Sequence, residues 1–303
     1  MAIMRLGRVQ VRVPNWEKSV HYYKNVIGLI ETARDENHVY LNAWDEYDHH
    51  SVILEKADSA GLDHLAFKCE KAEDLEIYEQ KLFDYGIATE RIPAGTRIAE
   101  GEAVRFTVPT GQIVELYHEI EQVGNGLPLV NPDPWPDGLV GMAPPRLDHM
   151  LISGDDVAGT TKLFMDVFDF KIAEELINHE DGSYVATWLF TTNTPHDLAI
   201  IKGPDKGMHH IAFWIDEWNE IRRAADIMAK NDVMIDKGPT RHGITRGTTI
   251  YFFDPSGNRN EVFCGGYITY PDFPKITWTT EKLGRAVSYF DNEVNDRFTT
   301  VFS

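Results

Sequence analysis

The sequence predicts an α+β protein of two tandem domains, each a pair of βαβββ modules whose sheet curves into a half-barrel cup. Three observations predict it. The second half of the chain echoes the first, each half reads as strand, helix and several strands given twice, and a Pro- and Gly-rich connector joins the halves. The length of 303 residues fits two domains of roughly 150 residues each.

The echo is residue by residue. GLDHLAFK (61–68) aligns with MHHIAFW (208–214), setting His64 against His210. VPTGQIVELY (108–117) aligns with DPSGNRNEVF (254–263), setting Glu115 against Glu261. Both offsets are 146 residues (210 − 64 and 261 − 115). RLGRVQV (5–11) aligns with RLDHMLI (146–152) at an offset of 141, which sets Arg8 against His149. A repeat of this length is the signature of a duplicated structural unit.

Amphipathic helices are expected over 16–27, 71–85, 156–168 and 217–231. In the last, Trp218, Ile221, Ala225, Ile227 and Met228 form the apolar stripe. Short alternating runs at 38–44, 51–56, 185–190 and 249–254 read as strands bounded by turn residues. The expected units are residues 1–123, the connector 124–145, residues 146–270, and an extension, 271–303, outside the repeat. The extension is expected to cover the second cup or an interface.

Composition narrows the function classes. With 29 basic and 48 acidic side chains the formal charge is −19. Such a surface repels phosphate backbones and anionic lipid heads, so neither nucleic acid nor membrane is the expected partner. Cys69 and Cys264 are the two cysteines, one in each half, so no disulfide framework is expected and a reducing compartment is. The N-terminus lacks a signal peptide's apolar stretch, and no run of about 18 apolar residues exists to span a bilayer. The expectation is a cytoplasmic protein.

The chemistry centres on three residues of the second half. Strand alternation turns His210, with Ala212 and Trp214, into the cup, and turns His209 toward the helices. His149 shares a face with Leu151 and Ser153, and Glu261 with Phe263. Two imidazoles and one carboxylate converging in a cup form the facial set that favours non-haem Fe(II) and leaves three positions open. The blander reading is that both histidines are hydrogen-bonded core residues. Against it, His and Glu recur at the equivalent strands of the first half, where plain packing would select Val or Ile. Three further residues attract attention: His196 before an apolar strand, His242 in the Gly-rich GPTRHGITRG, and Tyr251 in TIYFFDPSG. Histidine carries protons near pH 7 and a Tyr hydroxyl can hold a substrate oxygen. Taken singly, a loop His is more often solvated and a strand Tyr more often core.

RxDHxL, HHIAFW, GPTRHGIT and IYFFDPSGNRNEVFCGG together resemble the extradiol catechol dioxygenases of the vicinal oxygen chelate superfamily. The likeness runs over nearly the whole chain, through GLIE (28–31), VNPDPWP and WTTEKLGRA (278–286). The resemblance implies Fe(II), with Mn(II) also compatible, held by His149, His210 and Glu261. It implies a catechol bound through both oxygens, with Tyr251 and His242 on its deprotonated side. O₂ would lie beside His196, which would donate the proton that promotes O–O cleavage. The expected product is a 2-hydroxymuconic semialdehyde, formed in aromatic hydrocarbon catabolism by a homo-oligomer, a tetramer by resemblance.

Arg8 stands where a ligand His would be needed in the first half, so that cup is not expected to be catalytic. Arg105 stands at the Tyr251 equivalent. Lys237, Arg241 and Arg246 lie near the site in sequence and could meet a ring carboxylate. A glyoxalase-type isomerase would want ligands from both halves, and a metal-free binding module of the same fold would have no use for the triad.

Overall fold

The computed structural model describes residues 3–303. Residues 1–2, where the first expected unit begins, lie outside the described residues.

Two curved sheets carry the chain, one of eight strands and one of nine. In the first, strands Ile3–Val13 and Gly61–Cys69 run antiparallel at the centre. Strands Val52–Lys56 and Ile113–Tyr117 flank them in parallel. The second sheet repeats the plan. Strands Arg146–Gly154 and Gly207–Trp214 pair antiparallel at its centre. Leu198–Lys202 and Arg259–Gly265 flank them in parallel. Each half is thus two βαβββ modules joined through their first strands, and the expected α+β fold class is the one observed. A ninth strand, Ile276–Thr279, adds to the edge of the second sheet beside Lys171–Ile177.

The helices cover one face of each sheet and leave the other as the wall of a cup. Helix Trp218–Lys230 lays Ile221, Ala224 and Met228 against its sheet. Glu217 and Glu220 close its start in a reciprocal capping box, satisfying backbone N–H groups that have no helical partner. Helix Val157–Phe168 begins where the Asp156 carboxylate accepts the Gly159 amide at 2.8 Å. Phe164 of that helix meets Phe67 of the first sheet edge-on, with ring centroids 5.8 Å apart. The apolar layers of the two halves therefore merge into one core. The expected helix over 16–27 is α-helical only through Trp16–His21. It continues with π geometry through Tyr22–Ile27, and this wider turn seats Tyr22 and Tyr23 together in the core. Among the described residues no helix is long and apolar enough to cross a membrane.

Residues beyond 279 lie across the second cup. The Ala286 carbonyl accepts the Gly243 and Ile244 amides at 2.9 and 3.0 Å. The chain end pairs with Met208 through two backbone hydrogen bonds. Of the two expected roles for this segment, covering the cup is what the structure shows.

Candidate metal centre

Three strands of the second sheet bring His149, His210 and Glu261 to one point on the cup's inner wall. One ligand atom from each lies within 4.8 Å of the others. Glu261 Oε2 is 3.0 Å from His210 Nε2 and 3.2 Å from His149 Nε2, and the two imidazole nitrogens are 3.4 Å apart. A divalent ion with bonds of roughly 2.0–2.2 Å to N and O donors would hold adjacent donors about 3 Å apart. The separations fit that requirement, and all three side chains are buried.

The charge state fits as well. Burial opposes an imidazolium at His149, but its bonds to Asp148 and Glu261 prevail and hold its pKa up at about 9. Burial pushes His210 down to about 4 despite Glu261 beside it. Burial also opposes a carboxylate at Glu261, yet the two imidazoles keep its pKa well below the usual range. The pocket therefore stabilises one added positive charge, and a metal ion can supply it in place of the proton.

A bulge makes the convergence feasible, and the sequence did not reveal it. Pairing between the central strands slips between Met208 and His210, and again between Ala212 and Phe213 opposite Asp148. Met208 and Ile211 both enter the helix-side core, as do Leu147 and Met150. The residues between them turn the other way, so Asp148 and His149, like His209 and His210, share the cup side. The expectation that His209 faces the helices is thereby corrected. Simple alternation assumed an unbroken pleat.

Asp148 Oδ2 lies 3.0 Å from His149 Nδ1, so Nδ1 donates, and Nε2 presents its lone pair to the centre when a metal replaces its proton. The first half keeps the slip but has Gly7 where the second has Asp148. A Cβ at Gly7 would collide with the Tyr117 hydroxyl. Thr249 Oγ1 donates to Glu261 Oε1, leaving Oε2 for the centre.

The three other expected residues surround this point. His196 is buried, its ring centroid 3.9 Å from that of His149, and its Nδ1 has no hydrogen-bond partner among the described residues. Burial and the neighbouring His149 hold its pKa well below the ordinary value, so it is neutral. His242 Nδ1 donates to the Val287 carbonyl, which leaves Nε2 to accept the Tyr251 hydroxyl at 2.8 Å. Burial raises Tyr251 well above its usual pKa.

Apolar side chains close the rest of the cavity, which measures about 80 Å³. Leu151, Leu176, Trp188 and Ile201 come from the sheet, and Leu283 and Phe298 from the covering segment. The expected cover over the second cup did not extend to naming wall residues, because the segment lies outside the repeat and has no counterpart to align with. Another missed residue is Glu174, 1% exposed. Its carboxylate accepts the Thr245 amide at 2.5 Å, Tyr267 Oη at 2.7 Å and Trp278 Nε1 at 2.6 Å. It thereby ties the His242 loop to the segment. Lys237, Arg241 and Arg246 do not line the cavity. Lys237 Nζ donates to the Glu293 carbonyl, and the Arg246 guanidinium lies over the Tyr267 ring.

Comparison with known proteins bears on this geometry. The profile of the Glyoxalase/Bleomycin resistance protein/Dioxygenase superfamily matches residues 146–262. That of the catechol 2,3-dioxygenase-like N-terminal domain matches residues 62–121. The chain is 46% identical to a metapyrocatechase of Pseudomonas sp. strain CF600, over 99% of both chains. It is 32% identical to a manganese-dependent 2,3-dihydroxybiphenyl 1,2-dioxygenase of Geobacillus genomosp. 3, over 96% of this chain and 95% of the other. The crystal structure of the 2,3-dioxygenase LapB from Pseudomonas sp. KL28 superposes with a TM-score of 0.90 at 44% identity, covering 93% of this chain and 99% of that one.

Proposed function

The chain belongs to the metapyrocatechase (catechol 2,3-dioxygenase) family of extradiol ring-cleaving enzymes, and on that premise we propose that His149, His210 and Glu261 hold its catalytic iron. The observation that carries the reading is the convergence of those three donors, buried and spaced at 3.0–3.4 Å. Fe(II) held there would supply a Lewis acid for the catechol oxygens and an electron path between ring and O₂.

The protein's own groups manage protons and exclude water. Tyr251 Oη gives its hydrogen to His242 Nε2 and so turns a lone pair toward the cavity. A catechol hydroxyl can pass its proton to Tyr251 Oη while the phenol's proton moves to His242 Nε2. The Val287 carbonyl stabilises the resulting imidazolium through Nδ1–H until that proton returns through Tyr251 Oη to the ring-opened product. His196, neutral before substrate binds, takes the second hydroxyl proton and returns it when the O–O bond breaks. The apolar walls keep bulk water from intercepting the reaction. The product of unsubstituted catechol is 2-hydroxymuconic semialdehyde.

The catalytic unit is residues 146–270, with 1–123 as its structural partner. The same donor types hold Mn(II), the metal named for one relative, and the likeness to a metapyrocatechase at 46% identity favours iron. Exposed Leu129, Val130 and Trp135 in the connector suit a homo-oligomer, and the acidic, disulfide-free composition suits the cytoplasm.

Anaerobic reconstitution with Fe(II), followed by catechol in air, should give a yellow product. His210→Ala should abolish both bound iron and turnover, and retention of wild-type iron and rate in that variant would reject the ligand set.

A further inference from the structure

We infer that His209 is a positioning residue that couples the covering C-terminal segment to the metal ligand His210, by fixing which imidazole nitrogen of His210 faces the centre. The inference rests on the ligand set proposed above.

The chain of hydrogen bonds has one consistent direction. The Phe298 carbonyl, which can only accept, lies 2.7 Å from His209 Nε2, so Nε2 carries the hydrogen. In a neutral ring that leaves Nδ1 of His209 with a lone pair. Nδ1 of His210 lies 2.7 Å away and must donate to it. Nε2 of His210 then has its lone pair free, and it is this atom that sits 3.0 Å from Glu261 Oε2. A backbone carbonyl of the covering segment therefore sets the tautomer of a metal ligand through one intervening ring.

Both ends of this link are held by one buried cation. The Arg259 guanidinium donates to the His209 carbonyl at 3.2 Å, to Val301 O at 2.9 Å and to Arg297 O at 3.1 Å. Asp236 neutralises it at 2.9 Å. Helix Asp296–Thr300 presents Phe298, whose ring packs on His209 and Tyr251 at centroid distances of 4.7 and 4.8 Å. The partner of His149 is the carboxylate of Asp148, present whether or not the segment is docked. The partner of His210 is neutral, and its orientation depends on the segment lying over the cup. In the first half the equivalent of His209 is Asp63, bonded to His64 at 2.7 Å, so there a carboxylate holds the histidine equivalent to His210.

Two full-length holoenzyme variants separate positioning from packing. His209→Phe keeps an aromatic ring against Phe298 and Tyr251 but neither accepts nor donates. His209→Gln offers an amide oxygen to His210 Nδ1–H and an amide N–H to the Phe298 carbonyl. Iron release to a ferrous chelator should be faster by roughly 10–100-fold in the Phe variant and close to wild type in the Gln variant. The solvent-exchangeable, paramagnetically shifted Nδ1–H proton resonance of His210 should vanish in the Phe variant and return in the Gln variant. Amide exchange over 296–301 should rise only with Phe. Equal iron release in both variants, or an unchanged His210 proton signal in the Phe variant, overturns the inference. Either result would leave the triad standing, which His210→Ala tests separately.

Discussion

Arg8 Nη2 lies 2.6 Å from Glu115 Oε2 inside the first cup, at the positions where the second cup has His149 and Glu261. Glu100 joins at 2.7 Å, and Arg97 and Arg105 reach Glu115 at 2.7 and 2.6 Å. Three guanidiniums thus occupy the donors that a metal would need, and none has a lone pair to offer. His64 is driven down to about 4 by burial and by Arg8, so it stays neutral inside the network. The expected stoichiometry is one iron per chain, bound after residue 145. Metal analysis of fully active protein approaching two irons per chain, or anomalous density beside His64, would contradict this.

The same network predicts a stability effect. Burial would raise the Glu100 carboxyl, but Arg8 and His50 hold it down at about 2. Removing the guanidinium that Glu100 and Glu115 share in Arg8→Met leaves them to Arg97, Arg105 and His50, so the variant should lose stability at neutral pH, by up to about 3 kcal/mol. The sign with pH follows from the depressed pKa. The pairing contributes fully above the ordinary carboxyl range and fades as pH falls from about 4.5 toward 2. The gap between wild type and variant in denaturant unfolding should therefore narrow with acidification over that window. A gap independent of pH would show that Arg8 acts through packing alone.

His196 should govern chemistry and leave metal binding intact. Its ring lies against that of His149, tilted by 45°, and makes no hydrogen bond to a ligand side chain. His196→Phe should keep its iron and bind catechol anaerobically, while the oxygen-dependent step slows by roughly 10²–10⁴. Iron loss from that variant would move His196 into the ligand set.

The fold was legible because duplication fixes topology independently of local propensity. Once 61–68 and 208–214 align, the pairing of module first strands follows. The convergence of His149, His210 and Glu261 was legible for the same reason. What escaped were features without a sequence period. The bulges that bring Asp148 and His209 to the cup side add one residue to a strand, and nothing in DHM or MHHI distinguishes that from an unbroken pleat. The wall supplied by Leu283 and Phe298 depends on where an unrepeated segment folds back. Lys237, Arg241 and Arg246, which could meet a ring carboxylate, do not line the cavity, because nearness in sequence to His242 is not nearness to the site. Lys237 points to the segment backbone instead.

The lining of the cavity sets a preference among substrates. Among the described residues, the cavity wall contains no Lys or Arg. Its acidic groups are Glu261 and Asp148, with His149 paired to both, while burial keeps His196 and His242 neutral. A carboxylate on the catechol ring would enter an apolar pocket with no Lys or Arg to pair with, the metal's charge being shared already by Glu261 and the ring oxygens. Leaving a buried charge unpaired costs about 3–5 kcal/mol, equivalent to a factor of roughly 10²–10³ or more in kcat/KM. Methyl groups at the same ring positions would meet Leu176, Trp188, Ile244 or Leu283 and lose nothing by desolvation. Catechol and methylcatechols should therefore exceed protocatechuate in kcat/KM by at least about 10², measured from the yellow product or from oxygen uptake. Comparable values for the acid-bearing ring would mean that a cation reaches the pocket when substrate binds, with Lys237 the first candidate to replace by Met.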